Sequence, residues 1–277
     1  MIPFDFEYYR PSSVKEAVDA FQALQTQGKH PMYWSGGTEI ITMARLNRVR
    51  PGAVVDLKAI PECNVMEFRG NDLIIGGCVT LSAVTGANLF PLLGRAAQGV
   101  ADQTSRNKIT LGGNLCGRIR YREAVLPLLV ADSRLVIAGK GGIREAAIHE
   151  VFHGQIRLEP GEFLLQTVTD REFVSLPSVH VKKRQIGHVG YPLVTLVALK
   201  KGSRIHAAFS GICGFPFRSA AIEQVLNTPG LSAEERARQV AGHLPAPPLT
   251  NTEGKADYRL FLFEQTVKDA VNALEGR

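Results

Sequence analysis

Three glycine pairs constrain this chain most: Gly36-Gly37, Gly76-Gly77 and Gly112-Gly113. The first sits in Ser35-Gly36-Gly37-Thr38-Glu39, directly after the short apolar stretch Met32-Tyr33-Trp34. The second ends a strand-like run, and the third sits in Thr110-Leu111-Gly112-Gly113-Asn114, just after Arg106-Asn107. A single Gly-Gly pair usually does no more than turn a chain. Three pairs, two of them set among Thr and Asn, suit backbone N–H groups converging on an anion, because no Cβ blocks close approach. A pyrophosphate is the natural guest, and Thr38, Thr110 and Asn114 add short side-chain donors. Two common phosphate motifs are missing. Gly139-Lys140-Gly141 has Arg144 where a dinucleotide fingerprint needs its third glycine, and no G-x-x-x-x-G-K-[ST] occurs.

The rest of the chain is that of a globular protein. It has 277 residues, 45% of them hydrophobic and 21% charged, which argues against disorder. No apolar run approaches the roughly 20 residues of a membrane span, and the longest candidate, residues 191–199, is about strand length. Asp5 and Glu7 stand where a signal peptide would be basic or apolar, so the expectation is a cytoplasmic protein without membrane contact. Cys63, Cys78, Cys116 and Cys213 lack C-x-x-C spacing, which argues against an iron–sulfur or zinc-ribbon site and for free thiols. The net charge of +6 is compatible with nucleic acid, a phosphate-bearing cofactor or an acidic partner. Nucleic-acid modules interleave aromatics on a basic sheet, and that pattern is absent.

Periodicity predicts an α+β chain. Ser13-Val14-Lys15-Glu16 reads as a capping box opening a helix over residues 13–27. Strands are expected at 53–57, 73–75 and 134–138, a short helix capped by Thr80, and helices near 92–100 and 123–130. Beyond about residue 169 the texture changes to successive strands at 179–181, 193–199 and 205–209, as in an antiparallel sheet. Helices at 219–226, 232–243 and 257–274 follow, the second opened by the box Ser232-Ala233-Glu234-Glu235. The expected domains are residues 1–170 and 171–277.

Other patterns invite chemistry but have plainer readings. His149-Glu150-Val151-Phe152-His153 matches the zincin H-E-x-x-H. Gly154 would end its helix at once, and no further ligand is marked, so coincidence is the better reading and no metal residue is assigned. Arg118, Arg120 and Arg122 alternate with Ile119 and Tyr121 and read as a solvated edge, or as a dock for an acidic partner. Lys182-Lys183-Arg184 reads as surface, or as a contact to an anionic cofactor or partner.

Taken in order, the motifs resemble the FAD-binding subunit of molybdenum hydroxylases of the xanthine dehydrogenase type. The family's A-G-G-T-D-L appears as Ser35-Gly36-Gly37-Thr38-Glu39-Ile40, and its I-G-A-x-T as Ile75-Gly76-Gly77-Cys78-Val79-Thr80. Its R-N-x-x-T-I-G-G-N appears as Arg106-Asn107-Lys108-Ile109-Thr110-Leu111-Gly112-Gly113-Asn114. Glu123 stands for a usual Asp before a Leu-rich helix, with Asp132 after it. G-x-x-x-x-P-x-R appears from Gly211 to Pro216 and Arg218, with Glu223 following. The departures are Ser35 for Ala, Glu123 for Asp, and the basic run 118–122 where the family has small residues.

The resemblance implies a two-lobed FAD-binding domain of the PCMH, vanillyl-alcohol-oxidase-like type. It implies a C-terminal antiparallel sheet with helices after it, as in carbon monoxide dehydrogenase flavoproteins. It places FAD on Ser35, Gly36, Gly37, Thr38 and Glu39, on Gly77 and Thr80, on Arg106 and Asn107, and on Thr110, Gly112, Gly113 and Asn114. Gly36, Gly37 and Thr38, with Gly112, Gly113 and Asn114, would hold the pyrophosphate, Glu123 a sugar or ribityl hydroxyl, and Lys183 or Arg184 would approach the flavin from the second domain. It implies a heteromeric complex with a molybdenum-cofactor subunit and a 2Fe-2S subunit. Electrons from purine oxidation would pass through FAD to NAD+ or another acceptor, and no catalytic acid–base residue is needed because the chemistry is the cofactor's. A carbon monoxide or nicotinate dehydrogenase-type complex is the nearest alternative. A free-standing flavin oxidase, or a zinc peptidase using 149–153, is a more distant one.

Overall fold

The computed structural model describes residues 2–187 and 189–276. Two compact units are present: Met1–Val84 with Gln103–Arg118 and Ser133–Thr169, and Thr85–Asp102 with Ile119–Asp132 and Asp170–Arg277.

The first unit holds two sheets. The strands Glu7–Tyr9 (β1), Met32–Trp34 (β2) and Ala53–Asp56 (β3) form a parallel sheet in the order β1-β3-β2. All four residues of β3 are buried, as a central parallel strand requires, and its paired valines supply the β-branched surface. The helix Val14–Thr26 packs against it, burying Ala17, Val18 and Leu24. Ser13 caps this helix as expected, its hydroxyl accepting from the Glu16 N–H at 3.2 Å. The Glu16 carboxylate reaches back one residue further than a regular box, to the Ser12 N–H at 2.7 Å.

The second sheet of this unit comprises Met66–Arg69 (β4), Asp72–Gly76 (β5), Arg134–Gly139 (β6), Gly142–Ala147 (β7) and Phe163–Asp170 (β8), in the order β4-β5-β8-β6-β7. The Gly139-Lys140-Gly141 stretch is the tight turn of the β6–β7 hairpin, where Gly139 faces Gly142.

The second unit is built on an antiparallel sheet of Ser178–Arg184 (β9), Pro192–Lys201 (β10), Arg204–Ser210 (β11) and Phe217–Arg218 (β12), in the order β12-β11-β10-β9. Alternate residues Val194, Leu196 and Ala198 of β10 and Ile205, Ala207 and Phe209 of β11 form one apolar face. The helices Ala220–Leu226, Ala233–Ala241 and Ala256–Glu275 contribute Ile222, Val240, Phe263 and Val267 to the same core. The capping box at Ser232 is complete, with Glu235 accepting from the Ser232 N–H at 2.8 Å.

The helices Pro91–Gln98 and Val125–Val130 also pack on β9, β10 and β11. They are why residues 85–102 and 119–132 group with the C-terminal part and the units are not a simple division at residue 170. Val125–Val130 is buried throughout, so it cannot stand alone, and the sheet face left open by the three later helices takes it. Among the described residues, no helix is long and apolar enough to cross a membrane.

Candidate functional site

The three glycine pairs meet in the first unit. β2 runs directly into Ser35-Gly36-Gly37, and the helix Thr38–Arg45 starts behind them. Gly37 is the N-cap, at φ +71, and no side chain caps the helix. A Cβ at Gly37 would run into the Trp34 indole, so both the left-handed backbone and the close contact require glycine. The first-turn N–H groups of an α-helix have no intrahelical acceptor, and an uncapped N-terminus carries partial positive charge. This loop therefore presents backbone donors to an anion.

Gly36 lies against the third motif, where a Cβ would overlap the Lys108 carbonyl and lie 3.3 Å from the Thr110 nitrogen. The Ser35 and Thr110 hydroxyls share a hydrogen bond of 2.5 Å. The second and third motifs are stitched by backbone bonds: Leu81 N–H to the Ile109 carbonyl at 2.9 Å, and Leu111 N–H to the Val79 carbonyl at 2.8 Å. Thr80 and Thr110 form an isolated antiparallel bridge. Thr80 also caps the helix behind it, accepting from the Ala83 N–H at 3.2 Å. From the other side, Lys58 Nζ donates to the Ser35 carbonyl at 3.0 Å and to Asp56 at 2.7 Å.

Gly112 and Gly113 lie in the first turn of the helix Leu111–Cys116, whose N-cap is Thr110. The Gly112 N–H donates to the Gly77 carbonyl at 2.9 Å, and the Gly113 N–H to the Thr110 hydroxyl at 3.1 Å. The Gly77 N–H donates to the Leu165 carbonyl at 2.8 Å. A Cβ on Gly112 would lie 2.8 Å from the Gly77 carbonyl oxygen. These glycines permit close approach between segments.

Other expected residues have defined places. The Glu39 carboxylate accepts from the Arg118 N–H at 2.7 Å. Arg106 donates to Gln103 at 2.9 Å, and Gln103 in turn donates to Asn107 at 3.2 Å and to Ser82 at 3.0 Å. Asn114 is buried.

Glu123 and Lys183 belong to the second unit. There Glu123 is buried, accepting from Lys182 Nζ at 2.5 Å and from the Thr195 hydroxyl at 2.5 Å. The Lys182 side chain is only 3% exposed, so the expectation of a surface cluster at 182–184 fails for that residue. Lys183 is half-buried, and Lys182 and Arg184, its neighbours along β9, both donate to the Gly99 carbonyl, at 2.7 and 3.0 Å. Burial pulls the Lys182 ammonium below its ordinary value despite the carboxylate beside it. The basic run 118–122 is likewise not one exposed stripe. Arg118 and Arg120 are exposed, but Arg122 is buried at φ +30, donating to the Ile119 carbonyl at 2.9 Å.

His180, also on β9, carries a pH prediction. Burial holds its imidazole down, to about 4, and repulsion from Lys182, Arg95 and Arg184 adds to the effect. The folded value lies below the unfolded value near 6.5, so the unfolded chain takes up the proton first. Stability from this residue is full above about pH 6.5 and is lost as pH falls toward 4, to a limit of about 3 kcal/mol. His180→Gln is expected to flatten that loss in urea midpoints measured between pH 7 and 4.5. An unchanged slope would show that the imidazole is not held neutral.

The segment 149–153 does not build a zinc face. Its helix, Ile148–Val151, has four residues, and Phe152 is extended, which takes His153 off the helix. Glu150 is occupied as a cap, accepting from the Ala147 N–H at 3.1 Å. Among the described residues, no three His, Cys, Asp or Glu side chains gather as a metal site.

The arrangement in the first unit fits a dinucleotide diphosphate. Glycines stand where a Cβ would collide, an uncapped helix start supplies backbone donors, and Ser35, Thr38 and Thr110 supply hydroxyls beside it. Residues 4–168 match the family described as "FAD binding domain in molybdopterin dehydrogenase". The carbon monoxide dehydrogenase medium chain of Hydrogenophaga pseudoflava is 27% identical over 288 residues, covering 100% of this chain and 99% of that protein. The xanthine dehydrogenase FAD-binding subunit of Escherichia coli O157:H7 is 28% identical over 176 residues, covering 58% and 57%. A crystal structure of the Hydrogenophaga pseudoflava carbon monoxide dehydrogenase superposes with a TM-score of 0.86 at 23% identity, covering 100% of this chain and 99% of that one. Quinoline 2-oxidoreductase from Pseudomonas putida 86 gives 0.84 at 21%, covering 99% and 98%. These two structures share the α+β fold of an FAD-binding part and a C-terminal sheet with helices. With the family match covering residues 4–168 and the glycine cradle falling inside it, the chain belongs to the FAD-binding domains of molybdopterin dehydrogenases, and its cofactor is FAD.

Proposed function

We propose that this chain is the FAD-bearing electron-transfer subunit of a molybdenum hydroxylase complex. It works with a subunit that holds the molybdenum cofactor and a small subunit that holds 2Fe-2S clusters, and passes electrons to NAD+ or another acceptor. The observation that carries this reading is the glycine cradle at Gly36-Gly37, closed by the 108–112 segment, in a chain matched over its whole length by a medium chain. Bound FAD supplies the coupling between one-electron donors and a two-electron acceptor. The chain's own residues bind and orient it: the 35–40 segment on the diphosphate, with Thr110 and Lys58 fixing that segment in place. Among the described residues no three His, Cys, Asp or Glu side chains gather as a metal site, so in this reading the clusters belong to a partner.

The substrate is set by the partner that holds molybdenum, since relatives of this chain are named for carbon monoxide, nicotine, nicotinate, xanthine and caffeine. A xanthine dehydrogenase-type complex acting in purine metabolism in the cytoplasm is the reading the motifs suggest. The carbon monoxide dehydrogenase type is supported by the match over 100% of the chain, against 58% for the xanthine subunit. Relatives named as medium chains and subunits speak against a free-standing oxidase.

The test is spectroscopic. The purified chain mixed with FAD is expected to show protein-bound flavin absorbance that acid releases, because no tethering His or Cys is marked. Anaerobic NADH is expected to bleach it, and xanthine or carbon monoxide is not. Bleaching by either substrate with the lone chain would overturn the division of labour, and a colourless chain would overturn the reading itself.

A further inference from the structure

The glycine loop after β2 does not set its own peptide planes. The Ser35–Gly36 peptide turns when ψ of Ser35 and φ of Gly36 change together, and glycine tolerates either sign of φ. Something outside the loop has to choose one orientation. Lys58 touches the group that would be chosen, its ammonium donating to the Ser35 carbonyl at 3.0 Å. The peptide is trans, so the Gly36 N–H points to the side opposite the carbonyl that Lys58 holds.

Lys58 reaches this carbonyl because two parallel strands end side by side. β2 and β3 are neighbours, with Trp34 opposite Asp56, and they run on into Ser35-Gly36 and Leu57-Lys58. A lysine stem has many rotamers, and one bond to a carbonyl does not order it. Asp56 does. Its side chain is 2% exposed and that of Lys58 is 43% exposed, so the carboxylate is the fixed partner and the ammonium the one it places. Asp56 Oδ1 accepts from the Lys58 N–H at 3.0 Å and Oδ2 from Lys58 Nζ at 2.7 Å. The Tyr8 hydroxyl, from β1, donates to the same Oδ2 at 2.5 Å. Burial pushes the Asp56 carboxyl up, but the bonds from Lys58 and Tyr8 outweigh it and hold the group below its ordinary value. The Asn64 amide donates to the Lys58 carbonyl at 3.1 Å and fixes the backbone there. All three strands of the sheet thus take part, and the Ser35 carbonyl and hydroxyl are held by different partners, Lys58 and Thr110.

We propose that Lys58 is a positioning residue for FAD: tied down by Asp56 and Tyr8, its ammonium sets the Ser35–Gly36 peptide so that the Gly36 N–H faces the diphosphate. This rests on the 35–40 segment being the diphosphate site. Lys58 acts through the loop's backbone and not as a contact of its own. Without it the peptide turns freely, and FAD meets a loop that has first to be ordered. Misdirecting one charge-assisted hydrogen bond to a phosphate weakens FAD binding by about ten- to a hundredfold.

The sequence supplies a direct probe. Its two Ser-Gly steps are Ser35-Gly36 and Ser210-Gly211. Carbon-13 at serine carbonyls and nitrogen-15 at glycines, in full chain made by cell-free synthesis, therefore isolate the Gly36 and Gly211 amides in an NMR spectrum. Saturating FAD is expected to move the wild-type Gly36 proton downfield, as donation to a phosphate does. Lys58→Met is expected to lower FAD affinity about ten- to a hundredfold and to shrink that shift to less than half even at saturation. Lys58→Arg, which keeps a donor, is expected to recover both. Tyr8→Phe is expected to cost about two- to fivefold in affinity, and it carries the same comparison if Lys58→Met does not fold. A full downfield shift in FAD-saturated Lys58→Met, or a loss that Lys58→Arg leaves unreversed, overturns the proposal. A wild-type Gly36 peak unmoved by bound FAD also overturns it, and leaves FAD binding by the chain intact. A wild-type chain that binds no FAD overturns the site reading instead. The FAD-free spectra then decide the orienting role: Lys58→Met has to move the Gly36 peak and leave Gly211 in place.

Discussion

Gly36→Val is expected to abolish FAD retention while leaving the second unit folded. A Cβ at this position overlaps the Lys108 carbonyl oxygen and lies 3.0 Å from its carbon and 3.3 Å from the Thr110 nitrogen. All of these are backbone atoms, so no side-chain rotation relieves the clash. The 35–39 segment must move off the 108–110 segment, and the Ser35–Thr110 bond goes with it. Charge-assisted hydrogen bonds are worth about 1.5–3 kcal/mol each, so misplacing two donors on a diphosphate lowers affinity by more than about a hundredfold. Gly113→Ala is expected to do far less. Its Cβ would lie 2.8 Å from the Thr110 hydroxyl, and a side-chain oxygen can give way. Gly141→Ala, with nothing within 4 Å, is the neutral control. FAD titration monitored by flavin fluorescence, with circular dichroism to confirm folding, checks the order. Wild-type affinity in a folded Gly36→Val protein would mean that the glycine pair only packs the chain.

That order of effects was half legible in the sequence. The Gly-Gly pairs at 36–37, 76–77 and 112–113 announce close approach, but a sequence does not say which carbonyl occupies the missing Cβ or where each amide points. Gly113 and Gly36 look alike as letters. One lies in a helical turn with its N–H taken by Thr110, and the other sits against a backbone carbonyl more than 70 residues away. The helix starts at Ser13 and Ser232 were readable because a cap and its partner lie within three residues, so the whole interaction is local. The strands β1 and β2 have three residues each, too few to show a period of two. β8 was missed because seven of its eight residues are buried, which removes the alternation a half-buried strand would show. The helix Val125–Val130 was visible as an apolar run, but one buried on every side carries no stripe to indicate its sheet. Lys182 looked like surface because it stands between other cations in sequence, while its carboxylate partner is 59 residues away.

That distant partner makes Glu123→Ala the second large effect. The substitution leaves the Lys182 ammonium buried with only the Gly99 carbonyl, and strips the Thr195 hydroxyl of its acceptor. Removing one member of a buried ion pair costs about 3–5 kcal/mol, because the remaining charge is neither paired nor hydrated. For a chain of this size that corresponds to a fall in Tm of roughly 5–10 °C. Glu123→Gln keeps one acceptor oxygen and is expected to lose less. Lys182→Met alone is expected to be as damaging as Glu123→Ala, since it strands the carboxylate instead. The double variant Glu123→Leu with Lys182→Met is expected to recover most of the loss, because an apolar pair of similar volume needs no hydration. Thermal melts of the FAD-free chain separate this role from cofactor binding. If Glu123 serves only a hydroxyl of FAD, Glu123→Ala leaves the FAD-free Tm unchanged and the Lys182 variant is no worse. If the buried pair holds the second unit together, both single variants melt early without any cofactor present, and only the double variant returns toward the native value.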